Sequence, residues 1–582
     1  MSWSDYAALP NSKKIVLVEL DINTENTFWT NWAPYTWFFD FEAIYPDLAS
    51  FLTDGTAELN IQNVGSISVD GIQLNSVASI DTCVGQNSSY YYDSQDRRIY
   101  VRLANNDDPS WHHVEVGNIF GISNHRIAGQ TGYGENPRIY EPRLFAAPSI
   151  GARKDPQFFG KISFDTASIV VLNDDGFYDD WGEDNNIFGN ICRVYIGFDD
   201  QAYADFRQLF EGMIGRVRIS DRLSLEVLDK RAKLSRKIPV NKFQSTTYTS
   251  IKYSNLGAPL PLAFGTLKNI PLVVTNETET SPSNYVCFVA DTSLREISTV
   301  ESVYVNDIAV GIESTSLSGG TVTISAGNSI EDGVTADIEG YVNTAGSVIT
   351  NSLEIARLLL TDYFDIAYTS DYFNTTEWNS AESAARDICL YIDRRIDVIE
   401  AIEEIANTEQ GYFVVQDDGL YSFYKYDSTA SATRTIKREE YFEDVPMIEY
   451  DPTEVLTSIV VNYQKNWSSE AYAAFRDASQ ENDNFFAYST YLEKEFDTLL
   501  PDDTDVQDFA DTQMSISGQV LRLVTITTKM QHADIEIGDM VNIELERVGG
   551  DMIGTHKAEV IEVRRNLDEM MVSLTLRLVA AA

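Results

Sequence analysis

Histidine spacing decides whether this chain could hold a catalytic zinc ion. The five histidines are His112, His113, His125, His532 and His556, and no His-Glu-x-x-His pattern occurs. His112 and His113 are adjacent, and neighbouring side chains on a strand point to opposite faces, so they cannot easily share one ion. The sequence therefore predicts no metal site, with a metal at His112 and His113 as the weaker alternative.

An acidic turn at 173–180 is a second candidate for metal binding. It reads Asn-Asp-Asp-Gly-Phe-Tyr-Asp-Asp and offers many oxygens around Gly176. With that glycine at the sixth position of a calcium loop, the first and twelfth positions fall on Val171 and Gly182, and neither residue is a ligand. We therefore expect a solvated turn in preference to a calcium site.

Hydrolysis would need a carboxylate pair, an activated nucleophile or a phosphate loop. A carboxylate pair suffices for glycoside hydrolysis, but 89 Asp and Glu residues leave no pair distinguishable. No Gly-x-x-x-x-Gly-Lys or Gly-x-Gly-x-x-Gly motif occurs between a strand and a helix. The sequence predicts a protein with no catalytic, cofactor-binding or metal-binding residues, and glycan degradation is the alternative.

The segment 28–41 is crowded with aromatic residues. They are Phe28, Trp29, Trp32, Tyr35, Trp37, Phe38, Phe39 and Phe41. Stacked rings suit sugar faces, which makes glycan binding one hypothesis. Aromatic residues also dominate cores and subunit interfaces, so we expect one of those two roles for this segment.

The chain is strongly acidic, with a formal net charge of −46. Duplex DNA and anionic lipid would both be repelled by such a surface. No run of about 18 apolar residues occurs, so we expect no membrane insertion. Cys83, Cys192, Cys287 and Cys389 are widely spaced, which predicts free thiols in a chain that folds in a reducing cytoplasm.

Two segments depart from the average charge. Between Arg216 and Lys242, nine Lys or Arg stand against three Asp or Glu. We expect this basic island to neutralise an acidic neighbouring domain or subunit in preference to binding nucleic acid.

Residues 481–511 carry ten acids and the single base Lys494. That acidic run fits a disordered loop and a wall facing a passage for DNA equally well.

Short runs of alternating apolar and polar residues, bounded by Gly, Asn or Asp, predict strands through most of the chain. Helical spacing predicts one helix from about Thr350, a second over about 378–391 and a third over about 394–408. A hairpin with the turn Asp417-Asp418-Gly419 follows directly. The fold class is therefore mainly β with a smaller α+β part.

A length of 582 residues predicts about four domains. We expect a β-rich N-terminal domain over 1–242 and a β insertion domain over 257–348. An α+β domain follows over 349–450, and a C-terminal β-barrel domain occupies 451–582. The segment 243–257, rich in Ser, Thr and Tyr, is expected to link the first two.

A series of motifs resembles the central hub proteins of bacteriophage tails. In chain order they are NDDGFYDD at 173–180, GNICRVYIG at 189–197, LFEGMI at 209–214, LSLEVLDKR at 223–231 and GAPLPLAFG at 257–265. The helix-then-hairpin unit, LTSIVVNY at 456–463 and IGDMVNI at 537–543 extend the resemblance to most of the chain.

The resemblance implies two tube-like β-barrel domains per chain and a ring, usually a homotrimer, at the lower end of a tail tube. Such a hub joins the tube or distal tail protein above to a spike or fibre below, with the tape measure protein as a further partner. DNA passes through its channel without specific binding. It is a structural virion protein assembled in the bacterial cytoplasm. A tailspike or hub-associated hydrolase that binds or degrades glycans is the alternative.

Overall fold

The computed structural model describes strands in the first 123 residues and most of the chain from residue 142 onward. The described residues are 14–26, 30–33, 36–40, 64–69, 72–73, 75–76, 89–93, 98–102, 114–123, 142–164, 167–179, 187–198, 205–331, 333–364, 366–452, 454–489, 491–546 and 553–579. His112, His113, His125 and Cys83 lie outside them. So do the side chains that would test the role of the aromatic segment.

In chain order the strands of the N-terminal half are β1 (Lys14–Asn26), β2 (Thr30–Ala33), β3 (Thr36–Asp40), β4 (Val64–Val69), β5 (Ile72–Gln73), β6 (Asn75–Ser76), β7 (Ser89–Asp93), β8 (Arg98–Arg102), β9 (Val114–Ser123), β10 (Leu144–Ala146), β11 (Ser149–Lys154), β12 (Ile162–Phe164), β13 (Ala167–Leu172), β14 (Ile191–Phe198), β15 (Arg207–Ile219), β16 (Arg222–Asp229), β17 (Lys237–Ile238), β18 (Leu262–Phe264) and β19 (Thr266–Val274). The remaining strands are β20 (Asn284–Phe288), β21 (Ile297–Val305), β22 (Ile308–Val310), β23 (Ile312–Ser316), β24 (Thr321–Ser325), β25 (Val334–Tyr341), β26 (Leu390–Ile392), β27 (Ile396–Asp397), β28 (Gly411–Val415), β29 (Tyr421–Lys425), β30 (Thr435–Ile436), β31 (Met447–Asp451), β32 (Ser458–Asn466), β33 (Ala471–Asp477), β34 (Glu493–Asp497), β35 (Leu521–Lys529), β36 (Met540–Leu545), β37 (Gly554–Asn566) and β38 (Met571–Leu578).

The α-helices of the described residues are α1 (Ser352–Phe364), α2 (Thr375–Ser383), α3 (Val398–Glu409), α4 (Glu481–Tyr488) and α5 (Val506–Ser517). Short 3-10 helices cover Lys230–Leu234, Tyr253–Asn255, Arg438–Glu440 and Met530–His532. Within the described residues, no helix combines the length and the apolar character needed to cross a membrane.

The first sheet has nine strands in the order β10-β13-β16-β15-β14-β1-β9-β4-β5. Strand β1 lies inside it, between β14 and β9, and Val16, Leu17, Val18 and Leu20 are almost fully buried. The opening strand predicted at 13–22 is thus confirmed. Apolar residues on both faces of this strand explain its continuous hydrophobic run.

The second sheet has eight strands and combines distant parts of the chain. Strands β12-β11-β37-β38-β35-β31 follow one another, and β36 pairs with β37 and β30. Strand β11 pairs antiparallel with β37, so a segment near residue 150 completes a sheet made otherwise of residues beyond 430. Two of the molecule's sheets are nearly closed and barrel-like, and the predicted fold class, mainly β with several domains, is confirmed.

A third sheet carries the insertion. Its strands run β22-β21-β25-β19-β20-β24-β23, and β32, β33 and β34 join it through β19. Its core continues into the helical part, because residues of β19 to β25 and of α1 and α3 belong to one buried cluster. Among the described cysteines, Cys192, Cys287 and Cys389 are buried free thiols, as predicted.

The three predicted helices all form, partly with other bounds, whereas helices α4 and α5 were not predicted. Helix α1 begins where expected, and the Asn351 side chain accepts hydrogen bonds from the backbone N–H groups of Leu353 and Glu354 at its N-terminus. The second helix was predicted to reach residue 391 but ends at Ser383, because 390–392 form β26 and pair with β18. The third begins at Val398, not at 394, because β27 pairs with β17.

The predicted hairpin is confirmed, with Gly411 opposite Lys425 and Val415 opposite Tyr421. The disordered-loop hypothesis for the acidic run is wrong. Its described residues form α4, β34 and the start of α5, and apolar residues such as Phe496 and Phe509 anchor them in a buried cluster. Burial of those rings supplies the apolar contact that a disordered segment lacks.

Candidate functional site

The tip of the β28–β29 hairpin, residues 416–420, contacts both the first and the second sheet. From the first sheet, the Gln208 side chain donates a hydrogen bond to the carbonyl of Asp417 at 2.9 Å. Just beyond that sheet, the Lys230 ammonium donates to the carbonyl of Gly419 at 2.8 Å. From the second, the Arg565 guanidinium donates to the Asp417 carboxylate at 2.8 Å. The hairpin tip therefore fastens the two sheets to each other, and we call this region the junction.

Glu211 of β15 holds the first-sheet side of the junction together. Its nearly buried carboxylate accepts hydrogen bonds from Arg193 at 3.0 Å and from Lys230 at 2.6 Å. Gly419 has a φ of +84°, and a Cβ at this position would overlap the Glu211 carboxylate. The turn thus needs glycine for two reasons, its backbone conformation and its close approach to Glu211.

The second-sheet side of the junction contains two buried carboxyl groups. Burial raises the pKa of Asp417 to about 6, although the nearby Arg565 and Arg207 guanidinium groups oppose the shift. Burial, together with the neighbouring Asp417, raises the pKa of Glu536 well above its usual range. Glu536 also accepts a hydrogen bond from the backbone N–H of Asp417 at 3.2 Å. The junction is therefore sensitive to proton concentration.

A small cavity lies at the junction. Phe210 of the first sheet, Val563 of the second, Asp417 of the hairpin and Glu536 line it. Its volume is about 50 Å³, whereas pockets for small ligands measure roughly 300–1,000 Å³. The carboxyl groups face a space that fits one or two water molecules but no sugar ring. This geometry suits a structural joint.

A second buried charge cluster lies beneath the same hairpin. Glu559 of β37 forms ion pairs with Lys154 of β11 and Arg577 of β38, and all three side chains are buried. The Lys154 ammonium lies 4.4 Å from the centre of the Tyr412 ring. Burial lowers the pKa of Lys154 to about 8. The Arg577 guanidinium lies 4.9 Å from the centre of the Tyr426 ring, so the cluster binds the second sheet to the hairpin segment.

Several side chains of the predicted basic island contact other parts of the same chain. The Lys230 ammonium pairs with Glu211, and Lys237 pairs with Asp397 at the start of α3 at 3.6 Å. Arg231 donates to the carbonyls of Ile162 and Phe413. Lys237 thus pairs with an acid of the expected α+β domain, whereas Glu211, the partner of Lys230, lies in the same expected domain as the island, 1–242.

The acidic turn at 173–180 is described up to residue 179. One of its carboxylates, that of Asp175, pairs with an arginine. Arg143 donates two hydrogen bonds to the Asp175 carboxylate, at 2.7 and 2.6 Å. The Asn173 side chain bonds to Asp179 and to the backbone of Tyr178. Among the described residues, no three His, Cys, Asp or Glu side chains are grouped so that they could hold a metal ion.

Sequence reasoning found the turn of the junction but missed its charged partners. The Asp417-Asp418-Gly419 pattern has a local signature, which made the turn predictable. Glu211, Glu536 and Glu559 are three of 89 acidic residues, and only tertiary contacts distinguish them.

No family model and no curated protein matches this sequence. Among solved structures, the chain is similar to a tail protein from Neisseria meningitidis MC58, with 11% identity over 76% of this chain and 94% of that chain and a TM-score of 0.38. It is also similar to prophage tail protein gp18 from Listeria monocytogenes EGD-e, with 8% identity over 76% and 91% of the two chains and a TM-score of 0.34. A third is the E. coli c3393 protein, a type VI secretion component, with 7% identity over 75% and 74% and a TM-score of 0.29. The first two are named as tail proteins and the third as a component of a secretion system.

Proposed function

We propose that this chain is the structural hub of a phage tail tip or baseplate. In this proposal it forms a ring, joins the tail tube to a spike or fibre, and lines the channel for DNA ejection. The observation that carries the proposal is the presence of two nearly closed, barrel-like sheets in one chain. The motif resemblance implies this architecture for a hub.

The junction supports the proposal that the hub transmits mechanical force. The hairpin tip is bonded to the first sheet region through Gln208 and Lys230 and to the second through Arg565. A hub that transmits force between a tube and a spike needs its barrels held at a fixed spacing. Three such chains would present six barrel-like faces, which would match a six-fold tube to a three-fold spike.

The acidity of the chain supports passage of DNA without binding. With 89 acids against 43 bases, the surface gives phosphate groups few sites to attach. A channel wall of this kind would let a duplex slide through. The acidic groups around α5, at 502–511, are our candidates for that wall.

We further propose that the chain is not an enzyme. Asp417 and Glu536, whose pKa values are raised by burial, line the junction cavity, which at about 50 Å³ is too small for a glycan. A glycan-degrading protein would need a carboxylate pair in an open cleft. Assay of peptidoglycan and capsular polysaccharide for released reducing sugar tests this point. Release that a single Asp or Glu substitution abolishes would contradict it.

The proposed partners are further copies of the chain, the tail tube or distal tail protein, the tape measure protein, and a spike or fibre. The proposed location is the virion, after assembly in the host cytoplasm. The division into domains at 1–242, 257–348, 349–450 and 451–582 remains a proposal. Because β11 pairs with β37 of the last range, we expect that the range 451–582 will not fold when expressed alone.

Electron microscopy of the purified chain, alone and with its neighbouring gene products, tests the hub. We expect rings with the diameter of a tail tube, which stack on tube protein at one face and bind a spike or fibre at the other. An elongated trimer or a monomer that never joins a tube would contradict the proposal.

A further inference from the structure

One surface of the first sheet is basic and partly apolar. Arg216 and Arg218 of β15 lie on its outer face, opposite Glu226 and Ser224 of β16. Both arginines are exposed, and Arg218 has no hydrogen bond or ion pair with any described residue, while Arg216 lies 3.7 Å from Glu226. The two arginines line a shallow depression together with Ser168, Ser224, Leu225 and Glu226.

An exposed ring lies on the edge strand β10 of the same sheet. Phe145 is half exposed, and the Arg222 guanidinium lies 3.7 Å from the centre of its ring. Among the described strands, β10 pairs only with β13. We call Phe145, Ser168, Arg216, Arg218, Arg222 and Ser224 the basic face. Exposed cations are scarce in so acidic a chain, which makes this face distinctive.

A different surface has the opposite composition. On helix α4, Phe486 is 80% exposed and Phe485 is 46% exposed. Asp483 lies three residues before Phe486 and therefore on the same side of the helix. Asn484 anchors the opposite side, since its amide donates to the carbonyls of Leu456 and Gly518 at 2.8 Å.

Strand β34 extends this surface. Arg476 links Glu481 of α4 to Glu493 of β34 and to the Tyr491 hydroxyl, which brings the two elements side by side. Tyr491 is 55% exposed, and Glu495 is exposed without an ion pair among the described residues. We call Asp483, Phe485, Phe486, Tyr491 and Glu495 the acidic aromatic patch. Clustered exposed rings mark interaction sites, because monomers rarely leave such patches in water.

We infer that the acidic aromatic patch of one copy docks on the basic face of the next. The charges are complementary: Asp483 and Glu495 on one surface and Arg216, Arg218 and Arg222 on the other. The protruding Phe486 ring fits a surface that offers a depression, an exposed Phe145 and cations that stack on aromatic faces. This docking contact specifies how neighbouring copies join in the proposed hub, and it rests on that proposal.

The two surfaces are different parts of one chain, which determines the type of assembly. A contact between unlike surfaces is head-to-tail, and repetition of such a contact closes a ring if the rotation permits. The wild-type chain therefore carries both halves of a ring contact. The competing hypothesis is that the basic face binds nucleic acid. Such binding would not involve the acidic aromatic patch.

Sedimentation velocity of the full chain tests the inference with matched charge changes. Arg216→Glu with Arg218→Glu should raise the concentration for half-assembly at least about tenfold, a loss of one decade in affinity. The control is Lys161→Glu with Lys252→Glu, which makes the same change in charge at two exposed, ion-paired lysines. The control should assemble like the wild type.

The reciprocal change separates specific pairing from general repulsion. Asp483→Lys with Glu495→Lys lowers the net negative charge, so general repulsion predicts tighter assembly, whereas the docking contact predicts weaker assembly. A chain with all four substitutions should regain assembly. Circular dichroism confirms that each variant is folded.

Rings that form equally well in the wild type and in every variant would overturn this docking contact and leave the hub intact. A wild type that stays monomeric at every concentration would overturn both. Normal assembly of the arginine variant with loss of DNA retention would assign the basic face to nucleic acid instead.

Discussion

At the residue scale, Gly419 satisfies two requirements: a backbone conformation with positive φ and close packing against Glu211. Replacement by Ala would place a methyl group on the Glu211 carboxylate, which Arg193 and Lys230 hold in place. We expect Gly419→Ala to lower the free energy of unfolding by about 1–2 kcal/mol for the positive φ. Displacement of a charged hydrogen-bond partner should add roughly 1.5–3 kcal/mol. Urea denaturation measures the sum of the two losses in the free energy of unfolding.

Gly346 provides the matched control for this substitution. Its φ is +82°, close to that of Gly419, and a Cβ there would meet no atom within 4 Å. Gly346→Ala should therefore show the backbone cost alone. Equal losses for the two variants would mean that Glu211 moves aside freely and that the junction is not tightly packed.

Asp417 gives the junction a pH dependence with a definite sign. Its pKa is raised from 3.8 to about 6 by burial, so the folded state holds the proton more tightly than the unfolded state. The stability that Asp417 contributes is complete below about pH 4 and is lost as the pH rises through about 6. Asp417→Asn should thus gain in Tm relative to the wild type between pH 4 and pH 7.

Asp175 is the control with the opposite sign. Hydrogen bonds from Arg143 lower the pKa of its carboxyl group, so its contribution is present at neutral pH and is lost as the pH falls. Asp175→Asn should lose in Tm relative to the wild type as the pH rises from about 3 to 7. If Asp417→Asn followed the same direction, Asp417 would act mainly as the partner of Arg565.

At the element scale, the buried cluster beneath the hairpin determines how firmly β11 is held in the second sheet. Glu559→Gln keeps the shape of the side chain but leaves the Lys154 and Arg577 charges buried without a counter-charge. We expect a loss of about 3–5 kcal/mol in the free energy of unfolding. Protease sensitivity near β11 should rise in parallel.

The matched control for this change lies three residues away on the same strand. Glu562 pairs at 3.9 Å with Arg153, whose side chain is 66% exposed. An exposed pair contributes about 0–1 kcal/mol, so Glu562→Gln should be close to neutral. A similar loss in both variants would show that the strand, not the buried cluster, is the sensitive feature.

Elements with a local chemical signature were predictable, and elements defined by pairing were not. The hairpin turn at 417–419 and the Asn351 cap depend on residues close in sequence. The end of α2 depends on β26, which is a strand only because β18 lies beside it. Tertiary pairing overrides helical spacing there, and no pattern within 378–391 could reveal it.

At the scale of the whole molecule, the fold class and the resemblance to a class of protein could be predicted from the sequence, but the pairing between distant segments could not. Nothing near residue 150 indicates that β11 completes a sheet with β37. The basic island contains residues in different environments, since the Lys230 side chain is 12% exposed and pairs with Glu211, whereas Arg216 and Arg218 are exposed. Charge counts cannot separate them, because exposure is a property of the folded chain.

The proposed channel wall leads to a prediction about DNA. Asp502, Asp503 and Asp511 are exposed acids at or near α5. If they face the channel of an assembled ring, their replacement by Lys should make the ring retain DNA that has threaded through it. Linear duplex can thread, whereas a covalently closed circle cannot. We expect the triple variant to retain linear DNA more strongly than circular DNA, with a steep loss as salt is raised.

Three exposed acids of the insertion, Asp307, Glu313 and Glu331, provide the matched control. Their replacement by Lys makes the same change in charge on a domain to which we assign no part of the channel wall. This control should retain linear and circular DNA equally, because both forms reach an outer surface. Equal retention of the two forms by the Asp502, Asp503 and Asp511 variant would place these residues outside the channel, and the wall would then have to be sought on the barrel-like sheets themselves.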